Sequence, residues 1–249
     1  MVISVLNFSN GLIDDAALQS ALRAVNRQIS EDFQPYWGFG AQLRLDATLQ
    51  RRNAKIKNSE LRGDAVLYIR VSPRNADDEG FHTSTFGGVP YGFVYLDVSA
   101  KLGDDWTITL SHEALELLAD PELNLLVQGP HPTRPERQVF HWFEMCDAVQ
   151  DEHYLVDGLK VSNFVLPPYF TSSRERGGRN DFLGTAVKGK TLRSFGVNPG
   201  GYINFFDPVK KKNDDFELDD RGRRRRKIKQ TFGVGRGQAR RRRGRLSSR

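Results

Sequence analysis

The stretch Leu110-Ser111-His112-Glu113-Ala114-Leu115-Glu116 lies in a helical pattern that runs from about Asp105 to Ala119. Side chains four residues apart lie one above the other on a helix, so His112 and Glu116 share one face. An imidazole and a carboxylate placed in this way can bind one metal ion, because both are ordinary zinc ligands. Glu113 is rotated by about 100° from His112. It is therefore placed to act as a general base on a water molecule beside the metal.

Acidic side chains are dense around this helical pattern. From Asp104 to Glu122 the chain has six acids and no Lys or Arg. A helix with a solvated charged face usually mixes charges, because pairs of opposite sign four residues apart stabilise it. Here the like charges repel one another, and a bound cation would relieve the repulsion. A solvated acidic face without any metal is the alternative interpretation.

The elements before the motif provide a second argument. The patterns predict a strand, a long helix, two strands, a Gly-rich edge strand and then the motif helix. Their bounds are Val2 to Phe8, Asp14 to Ile29, Ala41 to Leu45, Ala65 to Val71, Gly87 to Val98 and Asp105 to Ala119. This order, over residues 1–120, resembles the upper subdomain of zincin metallopeptidases. The resemblance implies an α+β fold with a zincin-like mixed sheet, an active-site helix, and an edge strand that pairs with extended peptide substrate.

The motif itself resembles that of the zincins except at its last position. Zincins carry His-Glu-x-x-His, and Glu116 stands where the second histidine would be. The resemblance implies that His112 and Glu116 bind a divalent metal, with zinc the first expectation, and that Glu113 is the catalytic base. A carboxylate is a harder ligand than an imidazole, so zinc should bind more weakly or another divalent ion should be preferred. The segment His112 to Pro121 is also similar to uncharacterised bacterial and phage-encoded proteins, which leaves a virion-associated location open.

A third metal ligand is expected elsewhere in the chain. Zincins of the gluzincin type use a Glu on a later helix, and Glu144 fits that role within a short helix predicted over Phe140 to Gln150. The alternatives are Cys146 and three acids, Asp120, Glu122 and Asp147. Asp120 and Asp147 can instead act from outside the ligand shell, where Asp147 would orient His112. His82 and His141 either stabilise an oxyanion beside the metal or are ordinary surface or partly buried histidines.

The end of the chain differs in charge from the rest. Residues 221–249 contain fourteen Lys and Arg and no acid, so the 37 basic residues of the whole chain leave 23 against 31 acids before residue 221. The body is thus about −8 and the tail +14. We predict one domain over 1–207 and, over 208–249, an acidic and then Arg-rich tail that is disordered when free. Its two arginine clusters, expected to bind nucleic acid phosphates or an acidic partner, are Arg223, Arg224, Arg225, Arg226 and Arg240, Arg241, Arg242, Arg243. The alternative is a solvated tail, or one that folds back on the acidic body.

Composition limits the remaining function classes. No apolar run approaches the roughly 20 residues of a membrane span, and the first residues lack the pattern of a signal peptide. The single cysteine, Cys146, excludes a disulfide within the chain, so a cytoplasmic protein is expected. The predicted function is metal-dependent peptide hydrolysis. A catalytically silent packaging or interaction protein that binds nucleic acid through its tail is the alternative, and a purely structural ion is a third hypothesis.

Overall fold

The computed structural model describes residues 1–48, 61–73, 79–85, 87–171, 179–220 and 222. The predicted α+β class is confirmed, because helices and both parallel and antiparallel strands occur. The chain forms two compact units. The first contains Met1–Leu123 and His153–Ser162, and the second contains Asn124–Glu152 and the described part of Asn163–Lys227. Among the described residues, no helix has both the length and the apolar character that crossing a membrane requires.

The described residues form the following helices and strands. The helices are α1 (Asp15–Arg27), α2 (Gln34–Trp37), α3 (Leu96–Leu102) and α4 (Trp106–Ala119). The strands are β1 (Val2–Phe8), β2 (Gln42–Thr48), β3 (Ala65–Arg70), β4 (Gly80–Ser84), β5 (Pro90–Tyr95), β6 (Leu126–His131), β7 (Arg134–Trp142), β8 (His153–Val156), β9 (Leu159–Ser162), β10 (Tyr202–Asp207) and β11 (Lys212–Glu217). A π-helix, Gln28–Phe33, continues α1.

A five-stranded sheet forms the framework of the first unit. Its strand order is β2-β1-β3-β5-β4, in which the first four strands are parallel and β4 runs antiparallel to β5 at the edge. The prediction of an edge strand over Gly87 to Val98 was therefore wrong. Pro90 is only the first residue of β5, a position where a strand tolerates proline, and the rest of β5 pairs on both sides.

Helix α4 packs against β4, β5 and β9, and its acidic face is not solvated. Every side chain from Thr109 to Ala119 is buried, including His112, Glu113 and Glu116. The helix is thus enclosed all round, which an amphipathic pattern with one polar face did not predict. The interpretation of a solvated acidic face is contradicted. The buried carboxylates therefore need a partner of opposite charge or hydrogen-bond donors.

Ser111 connects α4 to two neighbouring elements through buried hydrogen bonds. Its hydroxyl donates to Gln28 Oε1 at 2.6 Å and accepts from the backbone N–H of Ser162 at 3.0 Å. Gln28 Nε2 in turn donates to the carbonyl oxygen of Ser162 at 2.8 Å. These bonds fix the turn of α4 that begins the His-Glu motif.

We expect Ser111→Ala to lower the free energy of unfolding by about 2 kcal/mol, because it leaves two buried polar groups without their partner. Urea unfolding monitored by circular dichroism measures this change. The matched control is Ser20→Ala, since the half-buried Ser20 hydroxyl makes its hydrogen bonds within α1, donating to the Ala16 carbonyl oxygen and accepting from Arg23. The control should change stability by less than about 0.5 kcal/mol. Equal effects for the two variants would contradict a structural role for the Ser111 bonds.

The second unit contains an antiparallel sheet of order β11-β10-β7-β6. The short helix predicted over Phe140 to Gln150 is absent from this described segment. Instead β7 continues to Trp142, and a single 3-10 turn spans Asp147–Val149. Pairing of β7 with β6 and β10 outweighs the local helical pattern.

Two hairpins bear on the predicted organisation of the chain. Strands β8 and β9 are joined by an Asp-Gly turn, with Asp157 at φ 50° and Gly158 at φ 77°, as a type I′ turn requires. In the second unit, β11 pairs with β10 beyond residue 207, where the tail was predicted to begin. Only Phe216 is apolar among the polar and acidic residues of β11, so composition alone did not indicate a strand.

Candidate metal centre

Four buried side chains of the first unit lie together between α4 and the edge strand β4. The exposed fractions of His82, His112, Glu113 and Glu116 are 1%, 2%, 1% and 0%. His112 Nε2 lies 3.1 Å from Glu116 Oε1. His82 Nδ1 lies 3.7 Å from Glu116 Oε2 and 3.5 Å from Glu113 Oε2. The two oxygens of Glu116 thus face different histidines.

The local sequence explains how these groups meet. Spacing of four residues places Glu116 above His112 on α4, as predicted. Alternation along β4 turns Gly80 and His82 toward the interior. Gly80 is needed for close approach, because a Cβ there would lie 2.7 Å from the Phe93 carbonyl oxygen and 2.8 Å from Glu113 Cγ. The strand can therefore lie directly on the side chain of Glu113.

The negative charge of the buried Glu113 and Glu116 carboxylates must be compensated by positive charge. Two ionised carboxylates without compensation are costly to bury. A divalent ion bound by neutral imidazoles neutralises both carboxylates. Protonation of both His82 and His112 would also neutralise them, as two buried ion pairs. Among the described residues, no hydrogen-bond donor reaches Glu113 Oε2.

The distances suit metal ligation. Atoms that bind one zinc ion at about 2.1 Å in tetrahedral geometry lie roughly 3.4 Å apart. The separations of 3.1 Å and 3.7 Å from the Glu116 oxygens to the two imidazoles lie on either side of this value. His82 and His112 each have a ligand atom close enough to one of Glu116 to share a metal ion with it.

The other predicted ligands in the first unit lie at the end of α4. Asp120 is buried and forms the C-terminal cap, where its backbone N–H donates to the Glu116 carbonyl oxygen. Its predicted role, either as a ligand or as a group that acts from outside the ligand shell, stays a prediction. Glu122 is exposed, which disfavours it as a ligand of a buried ion.

Four predicted groups belong to the second unit. Glu144 and Cys146 are buried there, and Asp147 accepts a hydrogen bond from the Tyr202 hydroxyl at 2.6 Å. His141 Nε2 lies 2.9 Å from the Pro130 carbonyl oxygen. Burial lowers the pKa of His141 to about 4, so its imidazole is neutral near pH 7. The predicted roles of Glu144 as third ligand and Asp147 as orienting group stay predictions.

His82 is the residue whose position the sequence did not predict. It was considered an oxyanion-stabilising group or an ordinary surface or partly buried histidine, yet it is fully buried beside both carboxylates of α4. Its strand went unrecognised because the segment from Asp77 to Ser84 is mostly polar. The available signal was the spacing of Gly80 and His82, which places both on one face of a strand.

Comparison with known proteins adds no assignment. The chain matches no protein-family model, no curated protein and no solved structure. The two arginine clusters of the tail lie outside the described residues. Function is therefore argued from the His-Glu site and from the charge of the sequence.

Proposed function

We propose that the protein is a metal-dependent hydrolase that cleaves peptide bonds. His112 and Glu116 act as metal ligands, with zinc the first candidate, and Glu113 acts as the general base. The observation that carries the proposal is that two carboxylates and two imidazoles are buried together. Three imidazole-to-carboxylate distances among them lie between 3.1 and 3.7 Å. Imidazole nitrogens and carboxylate oxygens are ordinary zinc ligands, so this group offers the donor atoms that a divalent ion requires.

The arrangement of the sheet supports a peptidase-like site. The resemblance to zincins implies an edge strand beside the helix that carries the His-Glu motif. Strand β4 is an antiparallel edge strand, and it packs against α4 at the motif. An edge strand has free backbone groups on its outer side, which can pair with an extended peptide. The site and the surface that could present the substrate would then be adjacent.

The chemistry divides between the metal and the chain. A bound zinc ion supplies Lewis acidity, which activates water and polarises a carbonyl group. Glu113 then accepts the proton of the attacking water and delivers it to the leaving amine. His112 and Glu116 hold their positions because α4 is enclosed on all sides. Burial of the site limits competing water and strengthens the electrostatic interactions within it.

Hydrolysis of a mixture of unstructured fluorogenic peptides tests the proposal. The full-length protein is assayed after loading with zinc, after treatment with a chelator, and after zinc is restored. We expect activity that the chelator removes and that zinc restores. Metal binding without hydrolysis of any peptide would instead favour a structural ion.

The charge of the tail favours a second function that does not exclude the first. Fourteen basic residues and no acid after residue 220 can neutralise many phosphates, and the released counterions make such binding salt-dependent. With a single aromatic residue, Phe232, this segment has little capacity for base stacking. We therefore propose that the tail binds nucleic acid without sequence preference.

Affinity for a single-stranded oligonucleotide should fall on the order of 10³-fold between 50 and 200 mM salt if eight arginines contact phosphates. Fluorescence anisotropy of the full chain measures this dependence. A variant with Gln at all eight clustered arginines, from Arg223 to Arg226 and from Arg240 to Arg243, should lose most of the salt dependence. Glu113→Gln, which leaves the tail unchanged, is the control. A salt-independent affinity in the wild type would contradict the proposal.

A further inference from the structure

We propose that His82, on the edge strand β4, is a protein ligand of the metal centre and takes the place of the histidine that the motif lacks at Glu116. This inference rests on the proposed metal site and adds a ligand that the helix motif does not contain. It follows from the position of the His82 imidazole, which is buried and faces the carboxylates of Glu113 and Glu116.

Glu116 lies between the two imidazoles. Its Oε1 is 3.1 Å from His112 Nε2, and its Oε2 is 3.7 Å from His82 Nδ1. Both distances are close to the roughly 3.4 Å expected between two ligand atoms on one tetrahedral zinc ion. Each imidazole is thus near a different oxygen of Glu116, and the two histidines belong to separate groups of candidate ligand atoms that share Glu116. Binding of both imidazoles to one ion therefore requires their side chains to move toward each other around this carboxylate.

The resulting donor set contains the second histidine that the helix motif lacks because Glu116 stands in its place. Two histidines and one carboxylate, with a fourth position open to water, form a known donor set of catalytic zinc in metallopeptidases. The helix supplies one imidazole and the carboxylate, and the edge strand supplies the other imidazole. The site then has the ligand types and the charge of a catalytic zinc site. The carboxylate ligand, Glu116, comes from the helix motif, and the second histidine, His82, comes from outside it. The expectation of weak zinc binding, which considered the helix motif alone, no longer follows.

With His82, His112 and Glu116 as the ligands, Glu113 does not bind the metal and can act in proton transfer. Its Oε2 is 3.5 Å from His82 Nδ1, close to the ligand atoms, and no hydrogen-bond donor of the described residues occupies it. Zinc bound by two neutral imidazoles and Glu116 carries one net positive charge, which the carboxylate of Glu113 balances. All four buried groups thus have a role, and the site is neutral overall.

The alternative role of His82 is that of a protonated partner for the two carboxylates. The two roles predict opposite effects on zinc affinity. Loss of a ligand should weaken zinc binding by at least about 100-fold, more than the loss of an outer-shell partner usually does. Loss of a competing positive charge should leave zinc affinity unchanged or increase it.

The experiment measures zinc affinity by competition with a chromophoric chelator, and cobalt(II) absorption, for the wild type, His112→Ala, His82→Ala and His82→Cys. His153→Ala is the matched control, because His153 is an exposed histidine of the same unit. Circular dichroism of each metal-free variant checks that it is folded. His82→Cys is included because a thiolate also binds zinc and adds a sulfur-to-cobalt charge-transfer band.

We expect the wild type and His153→Ala to bind zinc equally, and His82→Ala to bind at least about 100-fold more weakly. His82→Cys should recover much of the affinity and show the charge-transfer band. If the wild type and His82→Ala bind zinc with equal affinity while His112→Ala does not, the role of His82 as ligand is overturned and the proposed function stands. If the wild type binds no zinc or cobalt, both proposals are overturned. If His82→Ala does not fold, the decision falls to His82→Cys, in which absence of the charge-transfer band overturns the inference.

Discussion

Glu113→Gln is expected to lower kcat for peptide hydrolysis by about 10³-fold, because general base catalysis typically contributes 10²–10⁴-fold. Glutamine has nearly the same shape as glutamate but does not accept a proton at neutral pH. The side chain is buried under Gly80, where only a residue of similar size can be accommodated. Zinc affinity should stay close to that of the wild type, since Glu113 is not assigned as a ligand.

Glu122→Gln is the control for this variant. Glu122 is an exposed acid just after α4, so its amide should leave kcat and KM unchanged. Both variants are assayed with zinc loaded to the same occupancy, which separates loss of the base from loss of metal. A Glu113→Gln protein that contains zinc and hydrolyses peptides at the wild-type rate would contradict the catalytic assignment.

Zinc is expected to raise the free energy of unfolding of the wild type by about 4 kcal/mol when its free concentration is about 1,000 times its Kd. Only the folded chain brings His112 and Glu116 to 3.1 Å, so the metal binds the native state in preference to the unfolded one. The ion also offsets the repulsion between the buried carboxylates of Glu113 and Glu116. Urea unfolding with zinc, and again with a chelator, measures the difference.

His112→Ala should abolish this response, because it removes the imidazole that shares the helix face with Glu116. His153→Ala should respond to zinc as the wild type does, since the side chain of His153 is exposed. A zinc-dependent increase in stability of the same size in His112→Ala would place the binding site elsewhere in the protein.

The parts of the fold that follow from local patterns were predictable. The helix from about Asp105 to Ala119, the strand beginning at Val2 and the Asp-Gly hairpin depend on helical periodicity, apolar runs and turn chemistry, and the structure contains each of them. The shared face of His112 and Glu116 likewise follows from helical spacing alone. These features require no knowledge of distant parts of the chain.

Features that depend on tertiary pairing were not predictable in this way. The segment around Phe140 has a helical pattern, but it forms β7 because Phe140 and His141 pair with Phe206 and Phe205 of β10. The burial of Glu113 and Glu116 also depends on what covers α4, and their charge suggested a solvated face. His82 is part of the site only because β4 pairs at Gly92 and packs against α4, and this contact spans thirty residues of sequence between His82 and His112.

The most direct test of the account is the metal content of the full-length protein after dialysis against metal-free buffer. Elemental mass spectrometry compares the wild type with His112→Ala. We predict close to one equivalent of zinc or a similar divalent ion per chain in the wild type, and a content near background in the variant. A wild type that contains no metal, and that binds none when zinc is added back, would contradict the metal centre and leave the four buried groups as two ion pairs.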